Sequence, residues 1–264
     1  MRMGICGICG RMGVSVLKIL LERRHTLAAA FDHEGAPLYG RDAGALVNVE
    51  RMNVTVSRIN QDDISKTDGI IDFSSPAASM LLLEEARANR KPLVIGTTGF
   101  SNDERDAIKK AAAQIPVIFS PNMSLGVNLL FKLTETAARA LSTDYDVEIF
   151  EAHHRFKKDA PSGTARKLLE IVKENMRDLK GAREVPGRDG IVGERSKNEI
   201  GILAMRGGDI VGEHTVYFTA IGERIELTHR LTSRETLAAG AVAAMEFLAG
   251  KPAGLYTMYD VLGF

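Results

Sequence analysis

The sequence predicts an α/β protein with two parts: an N-terminal parallel sheet covered by helices, and a smaller α+β part whose sheet is mostly antiparallel. The chain has 264 residues, which is enough for two modest cores. Through Ser120, short apolar runs alternate with helical patterns, as they do where helices cover both faces of a parallel sheet. Later, residues 211–219 alternate polar and apolar side chains, which is typical of an antiparallel strand with one wet face.

The first part is predicted to alternate strands and helices up to residue 120. Ser101 and Glu104 stand three residues apart at the start of its last helix, which is the spacing of a capping box. The predicted strands are 4–7, 27–32, 54–57, 69–73, 93–96 and 117–120, and the predicted helices are 11–23, 76–89 and 102–113.

The second part has a different order of elements. An amphipathic pattern through residues 165–179 predicts a helix after a polar loop. Residues 180–198 are rich in glycine and charge and contain Pro186, so we expect a long mobile loop, with 181–198 as a candidate lid. The remaining predictions are helices at 125–141 and 234–248, strands at 146–152, 199–206, 211–219 and 224–231, and a short tail.

The overall composition excludes several kinds of partner. Lys plus Arg equals Asp plus Glu at 34 each, so there is no excess charge to attract nucleic acid or an anionic membrane. No run approaches the ~20 apolar residues of a membrane span. Two cysteines cannot form a disulfide framework in a chain of this size, and residues 1–7 do not resemble a signal peptide. We expect a cytoplasmic protein with no nucleic-acid or membrane partner.

A glycine-rich turn at residues 7–13 joins the first strand to the first helix, with the spacing G-x-x-G-x-x-G. Such a turn brings the backbone close to a pyrophosphate and presents the N–H groups of the helix start. Asp32 ends the second strand, where an acidic residue binds ribose hydroxyls. These features favour a Rossmann-like dinucleotide site over a glycine turn of an unrelated α/β fold. Cys6 and Cys9 have C-x-x-C spacing, but no second pair completes a zinc site, so we interpret them as small residues of the strand and turn.

Two further loops follow predicted strands of the same sheet. Gly96-Thr97-Thr98 follows the fifth strand and Asn122-Met123-Ser124 follows the sixth. Ligands bind at the carboxyl ends of the strands in open α/β sheets. Either loop could be turn chemistry alone, but their common edge favours contact with the cofactor.

Residues 148–165 concentrate histidine, lysine and acid at the end of a strand and then begin a helix with Ser162-Gly163-Thr164. Helix-start N–H groups with a hydroxyl can bind a carboxylate or phosphate, and a histidine or lysine can supply a proton. A metal site is the alternative. Adjacent strand residues His153 and His154 point to opposite faces. Glu151 and His153 are expected to share a face, but they give only two ligands, so we expect no metal.

Six motifs spread over the whole chain resemble those of 4-hydroxy-tetrahydrodipicolinate reductases, long called dihydrodipicolinate reductases. The block H-H-x-x-K-x-D-A-P-S-G-T-A is the most specific of them. The motifs are G-R-M-G at 10–13, D-F-S at 72–74, G-T-T-G-F at 96–100, the block at 153–165, R-G-G-D-I-V-G-E-H at 206–214 and G-L-Y-T-M at 254–258.

The resemblance implies an enzyme that reduces 4-hydroxy-tetrahydrodipicolinate to tetrahydrodipicolinate with NADH or NADPH and loss of water, on the route to diaminopimelate and lysine. It also implies a homotetramer. In this arrangement residues 1–124 and 235–264 form the dinucleotide-binding domain. Residues 125–234 form the substrate-binding and tetramerisation domain.

The same resemblance implies the roles of individual residues. His153 and Lys157 would donate protons. His154, Gly163 and Thr164 would contact the small dicarboxylate substrate. The implied cofactor contacts are Gly7, Ile8, Cys9, Gly10, Arg11, Met12, Asp32, His33, Gly96, Thr97, Thr98, Ser120, Pro121, Asn122 and Met123.

The sequence departs from the family pattern at two places. His33 stands where many members have arginine, and Asp32 would repel the 2′-phosphate of NADPH, although Arg11 could reach it. We therefore expect a preference for NADH with use of both dinucleotides. Ser120-Pro121 replaces the small residues usual there, which would shift the nicotinamide edge slightly.

Two other functions are alternatives for a chain with this pattern. An acylating semialdehyde dehydrogenase would need a reactive cysteine in mid-chain, whereas both cysteines lie before residue 10. A dinucleotide sensor without catalysis would have no use for the histidine, lysine and helix-start residues of 153–164. Both are less consistent with the sequence than a reductase.

Overall fold

The computed structural model describes residues 1–141 and 144–264, which divide into two compact units. The first unit comprises Met1–Leu125 and Arg234–Phe264, and the second comprises Gly126–Ser233. No helix in the described ranges is both long enough and apolar enough to cross a membrane.

Strands and helices alternate along most of the chain. The strands are β1 (Arg2–Cys6), β2 (Thr26–Phe31), β3 (Val56–Ser57), β4 (Gly69–Asp72), β5 (Leu93–Ile95), β6 (Pro116–Phe119), β7 (Asp146–His153), β8 (Arg183–Val185), β9 (Glu199–Arg206), β10 (Gly212–Ala220), β11 (Glu223–Leu231) and β12 (Gly254–Tyr256). The α-helices are α1 (Arg11–Glu22), α2 (Gln61–Ser65), α3 (Pro76–Ala88), α4 (Asn102–Ala111), α5 (Leu125–Ala140), α6 (Gly163–Asn175), α7 (Glu235–Leu248) and α8 (Met258–Leu262), with 3₁₀ turns at Ala43–Leu46 and Arg177–Leu179.

The sheet of the first unit has seven strands in the order β12-β6-β5-β4-β1-β2-β3, and every pairing is parallel. Every strand and helix predicted up to residue 141 is present, with ends moved by no more than two residues. The predicted capping box of Ser101 and Glu104 is also confirmed. The parallel-sheet part of the predicted fold is therefore confirmed.

The central strands of this sheet are buried on both faces. Ile70 and Ile71 are fully buried neighbours that pack into different cores, because successive side chains of a strand point to opposite faces. One core contains residues of α1, α7 and α8, and the other contains residues of α3 and α4. Helices thus cover both faces, which explains why these strands read as continuous apolar runs.

The second unit contains a five-stranded sheet in the order β11-β10-β7-β9-β8. β10 pairs antiparallel with β7 and β11, and these two ladders join more residues than the parallel ladders of β9 with β7 and β8. The sheet is therefore mixed and mostly antiparallel, as predicted, and the pairings of β9 are its parallel part. The connection from β7 to β9 contains α6 and β8, so it is long enough for the parallel pairing that a tight hairpin cannot make.

Two regions predicted to lack regular structure contain short elements. β8 lies within the predicted loop 180–198 and pairs with the start of β9, where Arg183 forms an ion pair with Glu199 at 2.8 Å. The predicted tail contains β12, which pairs with β6, and α8, which begins at a capping box of Thr257 and Asp260. These elements are too short for a periodic pattern to reveal them.

Candidate active site

All the loops that follow the strands of the first sheet lie at one edge, because every pairing is parallel. β1 and β4 are neighbours, and the helices that follow them, α1 and α3, pack on opposite faces. The strand order therefore reverses between β1 and β4, which is the position where open α/β sheets bind dinucleotides.

A cavity of about 650 Å³ opens at this edge. Five of the sequence-predicted cofactor contacts line it, namely Gly7, Cys9, Gly10, Asp32 and His33. Sequence reasoning missed the other lining residues, which are Cys6, Ala36, Pro37, Arg58, Ile59, Phe73, Ser74, Ser75, Ala78 and Leu81. Half of these follow β4 or lie on α3. Phe73 and Ser74 belong to the D-F-S motif, which gave no indication of a role in the site.

The glycine turn after β1 has no room for a side chain at Gly7 or Gly13. Gly7 has a φ of +75°, and a Cβ there would lie 2.3 Å from the carbonyl oxygen of Phe73. A Cβ at Gly13 would lie 2.2 Å from the carbonyl oxygen of Gly7. Gly10 is the N-cap of α1 and offers no side-chain oxygen to its first turn. The N–H groups of that turn are therefore suited to bind a pyrophosphate.

Asp32 lies at the end of β2 with its carboxylate held in place by the backbone. Oδ2 accepts a hydrogen bond from the N–H of Cys9 at 2.9 Å, and Oδ1 accepts one from the N–H of His33 at 2.9 Å. A carboxylate has about four acceptor sites, so two such bonds leave acceptors for ribose hydroxyls.

Arg58 lines the cavity just after β3 and forms an ion pair with Glu34 at 2.6 Å. Both side chains are exposed. Guanidinium groups bind phosphates well, so Arg58 is a second candidate, besides Arg11, for contact with a 2′-phosphate. No sequence signal marked it, because it follows a two-residue strand without a motif.

The loop after β5 is anchored by the buried Asp72 at the end of β4. Thr97 accepts a hydrogen bond from the N–H of Ser74 at 2.9 Å and donates one to Asp72 at 3.0 Å. Burial raises the pKa of Asp72 even though several hydroxyl groups donate to it. Gly96 packs against the ring of Phe73, where a Cβ would lie 2.2 Å from a ring carbon. This network fixes two loops of the sheet edge relative to each other.

The other predicted cofactor contacts lie at the same edge but do not line the cavity. Ile8 and Met123 are buried in the core beside α1 and α7, so only their backbone groups are available to a ligand. Ser120 donates to the carbonyl of Asn122 at 2.8 Å, which forms the turn after β6. The remaining residues of this set are the exposed Arg11, Thr98 and Pro121, the half-buried Met12 and Gly96, and the buried Thr97.

In the second unit, the buried Glu151 organises the end of β7. Its Oε2 lies 2.6 Å from Nδ1 of His153, and its Oε1 accepts from the N–H of Ser162 at 3.0 Å. Arg206 donates to both carboxylate oxygens, at 2.9 and 2.8 Å. One carboxylate therefore links the imidazole of His153 to the start of α6. The prediction that Glu151 and His153 share a face is confirmed.

The charge state of this cluster follows from its hydrogen bonds. Burial alone would raise the pKa of Glu151, but hydrogen bonds from His153 and Arg206 outweigh burial and lower that pKa to about 2. Burial, together with the nearby His153, lowers the pKa of His214 to about 3. Near neutral pH Glu151 is therefore an anion and His214 is uncharged. His214 shares a hydrogen bond of 3.0 Å with the hydroxyl of Ser162.

Lys157 and His154 lie in the loop between β7 and α6. Nζ of Lys157 lies 2.8 Å from both carboxylate oxygens of Asp159, whose carbonyl oxygen accepts from Arg206 at 2.7 Å. A continuous set of contacts thus joins Lys157 to the Glu151 cluster. Within the described residues, Nδ1 of His154 is buried without a hydrogen-bond partner.

The first turn of α6 faces open space. Ser162 is its N-cap and accepts a hydrogen bond from the N–H of Ala165 at 3.2 Å. A Cβ built on Gly163 would meet no atom within 4 Å. Thr164 follows Gly163 in the same turn. In the described part of the chain, no group of three His, Cys, Asp or Glu side chains is arranged to hold a metal ion.

A parallel sheet with a ligand cavity at its switch point, joined to a second unit rich in proton-transfer groups, defines a two-domain reductase that uses a nicotinamide dinucleotide. Family models narrow this class. The model described as "Dihydrodipicolinate reductase, N-terminus" matches residues 1–123, and "Dihydrodipicolinate reductase, C-terminus" matches residues 126–262. The chain belongs to the dihydrodipicolinate reductase family.

Individual relatives agree with this assignment. The chain is 48% identical to the 4-hydroxy-tetrahydrodipicolinate reductase of Aromatoleum aromaticum, over 100% of this chain and 95% of the relative. It is 47% identical to that of Dechloromonas aromatica, over 99% and 98%. The fold is also similar to a dipicolinate-bound dihydrodipicolinate reductase from Paenisporosarcina sp. TG-14, with a TM-score of 0.78, 23% identity and 97% coverage of both chains.

Proposed function

We propose that this protein reduces 4-hydroxy-tetrahydrodipicolinate to tetrahydrodipicolinate, with NADH or NADPH as reductant and with loss of water, in the biosynthesis of diaminopimelate and lysine. The observation that carries the proposal is the buried carboxylate of Glu151, which joins His153 to the start of α6. A proton donor and an anion-binding helix start thereby lie side by side. The relatives named above carry the same activity in their names.

The substrate has two carboxylates, and the second unit offers two kinds of group to bind them. The N–H groups at Gly163 and the hydroxyl of Thr164 suit one carboxylate, because helix starts attract anions. The ammonium group of Lys157 suits the other, with His154 of the same loop as a further proposed contact. The open space at Gly163 leaves room for the ligand.

The chemistry requires one hydride, one proton and the loss of one water. When bound, the reduced nicotinamide supplies the hydride to ring carbon four of the substrate. His153 and Lys157 serve the proton transfers. One proton goes to the departing hydroxyl group, one leaves the neighbouring ring carbon as water is lost, and one returns to that carbon after hydride transfer, so the net uptake is one proton. The overall balance is substrate, NAD(P)H and one proton giving tetrahydrodipicolinate, NAD(P)⁺ and water.

The dinucleotide binds in the first unit, with its pyrophosphate at the turn of Gly7 and Gly10 and its adenosine ribose at Asp32. We propose a preference for NADH, because the carboxylate of Asp32 repels a 2′-phosphate. NADPH is also used, since Arg58 lines the same cavity and offers a guanidinium to that phosphate. Glu34 competes with the 2′-phosphate for Arg58, so NADPH is expected to bind more weakly than NADH.

The assembly is proposed to be a homotetramer in the cytoplasm. In the described sheet of the second unit, the nine-residue strand β11 forms one edge, and such an edge pairs readily with another chain. Cys6 and Cys9 are both free thiols, as expected in a reducing compartment. Sedimentation of the purified protein tests the assembly, and a monomer at micromolar concentration would contradict it.

A coupled assay tests the proposed activity. Pyruvate, aspartate semialdehyde and the synthase that condenses them generate the substrate, and the absorbance of the reduced nicotinamide is followed. The expected result is rapid consumption of NADH and slower consumption of NADPH, only when the synthase is present. No consumption of either dinucleotide above the rate without synthase would refute the activity.

A further inference from the structure

The carboxylate of Glu151 is completely buried and accepts hydrogen bonds from three residues. These are Nδ1 of His153, the backbone N–H of Ser162 and both terminal nitrogens of Arg206. An ionised carboxylate only accepts hydrogen bonds, so the proton of the short contact at 2.6 Å must lie on Nδ1 of His153. This fixes the tautomer of the imidazole.

Because the tautomer is fixed, Nε2 is the ring nitrogen of His153 that remains for proton transfer. With Nδ1 committed to Glu151, Nε2 of His153 is the atom that can take up and release a proton. Gly212 on the adjacent strand allows the imidazole to pack closely against the backbone, since a Cβ at that position would lie only 3.1 Å from Nε2 of His153. The ring of His153 also packs edge-on against His214, with centroids 5.2 Å apart. The imidazole is therefore held on two sides.

The charges around His153 come from several elements. Glu151 on the same strand is negative, Arg206 on β9 is positive, and His214 on β10 is uncharged near neutral pH. From the loop before α6, Lys157 and Asp159 form a pair, and His229 on β11 lies opposite His214 in the strand register. Glu151 is the negative group in direct contact with the imidazole.

We propose that Glu151 is a positioning residue of the reduction, which orients His153 for proton donation from Nε2 and holds the start of α6 beside it. The proposal rests on the function proposed above. Arg206 supports the role by balancing the buried charge. Without that balance a buried carboxylate would be costly and would take up a proton.

The test compares Glu151→Gln with Glu199→Gln in the purified, full-length protein. Glu199 is the matched control, because it is also a buried carboxylate of this sheet and is bonded to two arginines. Glu199 begins β9 and Arg206 ends it, so at ~3.3 Å per residue the two residues lie about 23 Å apart along the strand. The control carboxylate is therefore far from the site of Glu151. Glutamine keeps the shape and some hydrogen bonds but removes the charge that holds Nδ1–H.

Glu151→Gln is expected to lower kcat about 100-fold, a typical loss for a group that orients a catalytic histidine. The ¹⁵N signals of His153 should shift away from the pattern of an Nδ1–H ring. Glu199→Gln should leave both readouts unchanged.

The outcomes separate this proposal from the proposed function. Unchanged ¹⁵N signals of His153 in folded Glu151→Gln would overturn the positioning role. A similar loss of kcat in Glu199→Gln would also overturn the positioning role, since removal of any buried carboxylate charge would then have the same effect. If His153→Ala and Lys157→Ala retain full activity in the coupled assay, the proposed site fails, whatever Glu151 does.

Discussion

The ammonium group of Lys157 lies 2.8 Å from each carboxylate oxygen of Asp159. The hydrogen bond and the positive charge of Lys157 lower the pKa of Asp159. Asp159 is therefore an anion paired with Lys157. In the proposed site, a substrate carboxylate would share this contact or replace Asp159.

Lys157→Ala is expected to lower turnover by roughly 100-fold or more, the usual range for a positioned acid. The coupled assay measures this, with circular dichroism to establish that the variant folds. Lys158→Ala is the matched control, because it removes the neighbouring lysine of the same loop. Near-normal turnover in Lys157→Ala would remove this residue from the mechanism.

Gly163→Ala is expected to raise the substrate KM at least about tenfold without loss of thermal stability. The added methyl group meets no protein atom within 4 Å, and alanine favours a helix over glycine. It would, however, occupy the space proposed for a substrate carboxylate. Gly181→Ala, which also has open space around it, is the control. An unchanged KM in Gly163→Ala would place the substrate elsewhere.

Arg58→Gln is expected to lower kcat/KM for NADPH roughly tenfold and to leave that for NADH nearly unchanged, since a hydrogen bond to a charged group contributes about 1.5–3 kcal/mol. Glu34→Gln should raise kcat/KM for NADPH, because it frees Arg58 from its ion pair. Arg41→Gln serves as a control from an exposed arginine outside the cavity lining. Equal changes with both dinucleotides would refute recognition of the 2′-phosphate by Arg58.

Stability should fall in acid partly through Glu199. Hydrogen bonds from Arg188 and Arg183 lower its pKa from 4.5 to about 2. The folded state therefore binds this proton less readily than the unfolded state. The resulting stability is complete above pH 4.5 and is lost as the pH falls towards 2. Urea unfolding at a series of pH values should show a smaller acid loss in Glu199→Gln, and an identical slope in both proteins would contradict this.

Much of the first unit could be predicted from the sequence because its elements carry strong local signals. Continuous apolar runs mark the strands, and Ser101 with Glu104 marks a helix start. Pairing between distant segments has no such signal. The parallel neighbour of β7 is β9, which depends on the path of α6, and β12 joins β6 from the far end of the chain.

The candidate site was predictable where a motif names its residues and not where only the fold assembles them. The glycine turn and Asp32 line the cavity as the pattern indicates. Arg58 reaches the same cavity through the pairing of β2 with β3, which no local pattern encodes. Glu151 could be placed on the face of His153, but its bond to Arg206 depends on the parallel register of β7 with β9, which no local pattern encodes.

Hydride transfer to the cyclic dicarboxylate is the central claim, and an isotope experiment tests it most directly. Substrate made by the synthase is reduced with NADH that carries deuterium at both C4 positions, and the product is analysed by mass spectrometry. The expected product is tetrahydrodipicolinate with a single deuterium, at ring carbon four, formed at a rate that His153→Ala and Lys157→Ala strongly reduce. Tetrahydrodipicolinate without deuterium, or none at all, would contradict the claim.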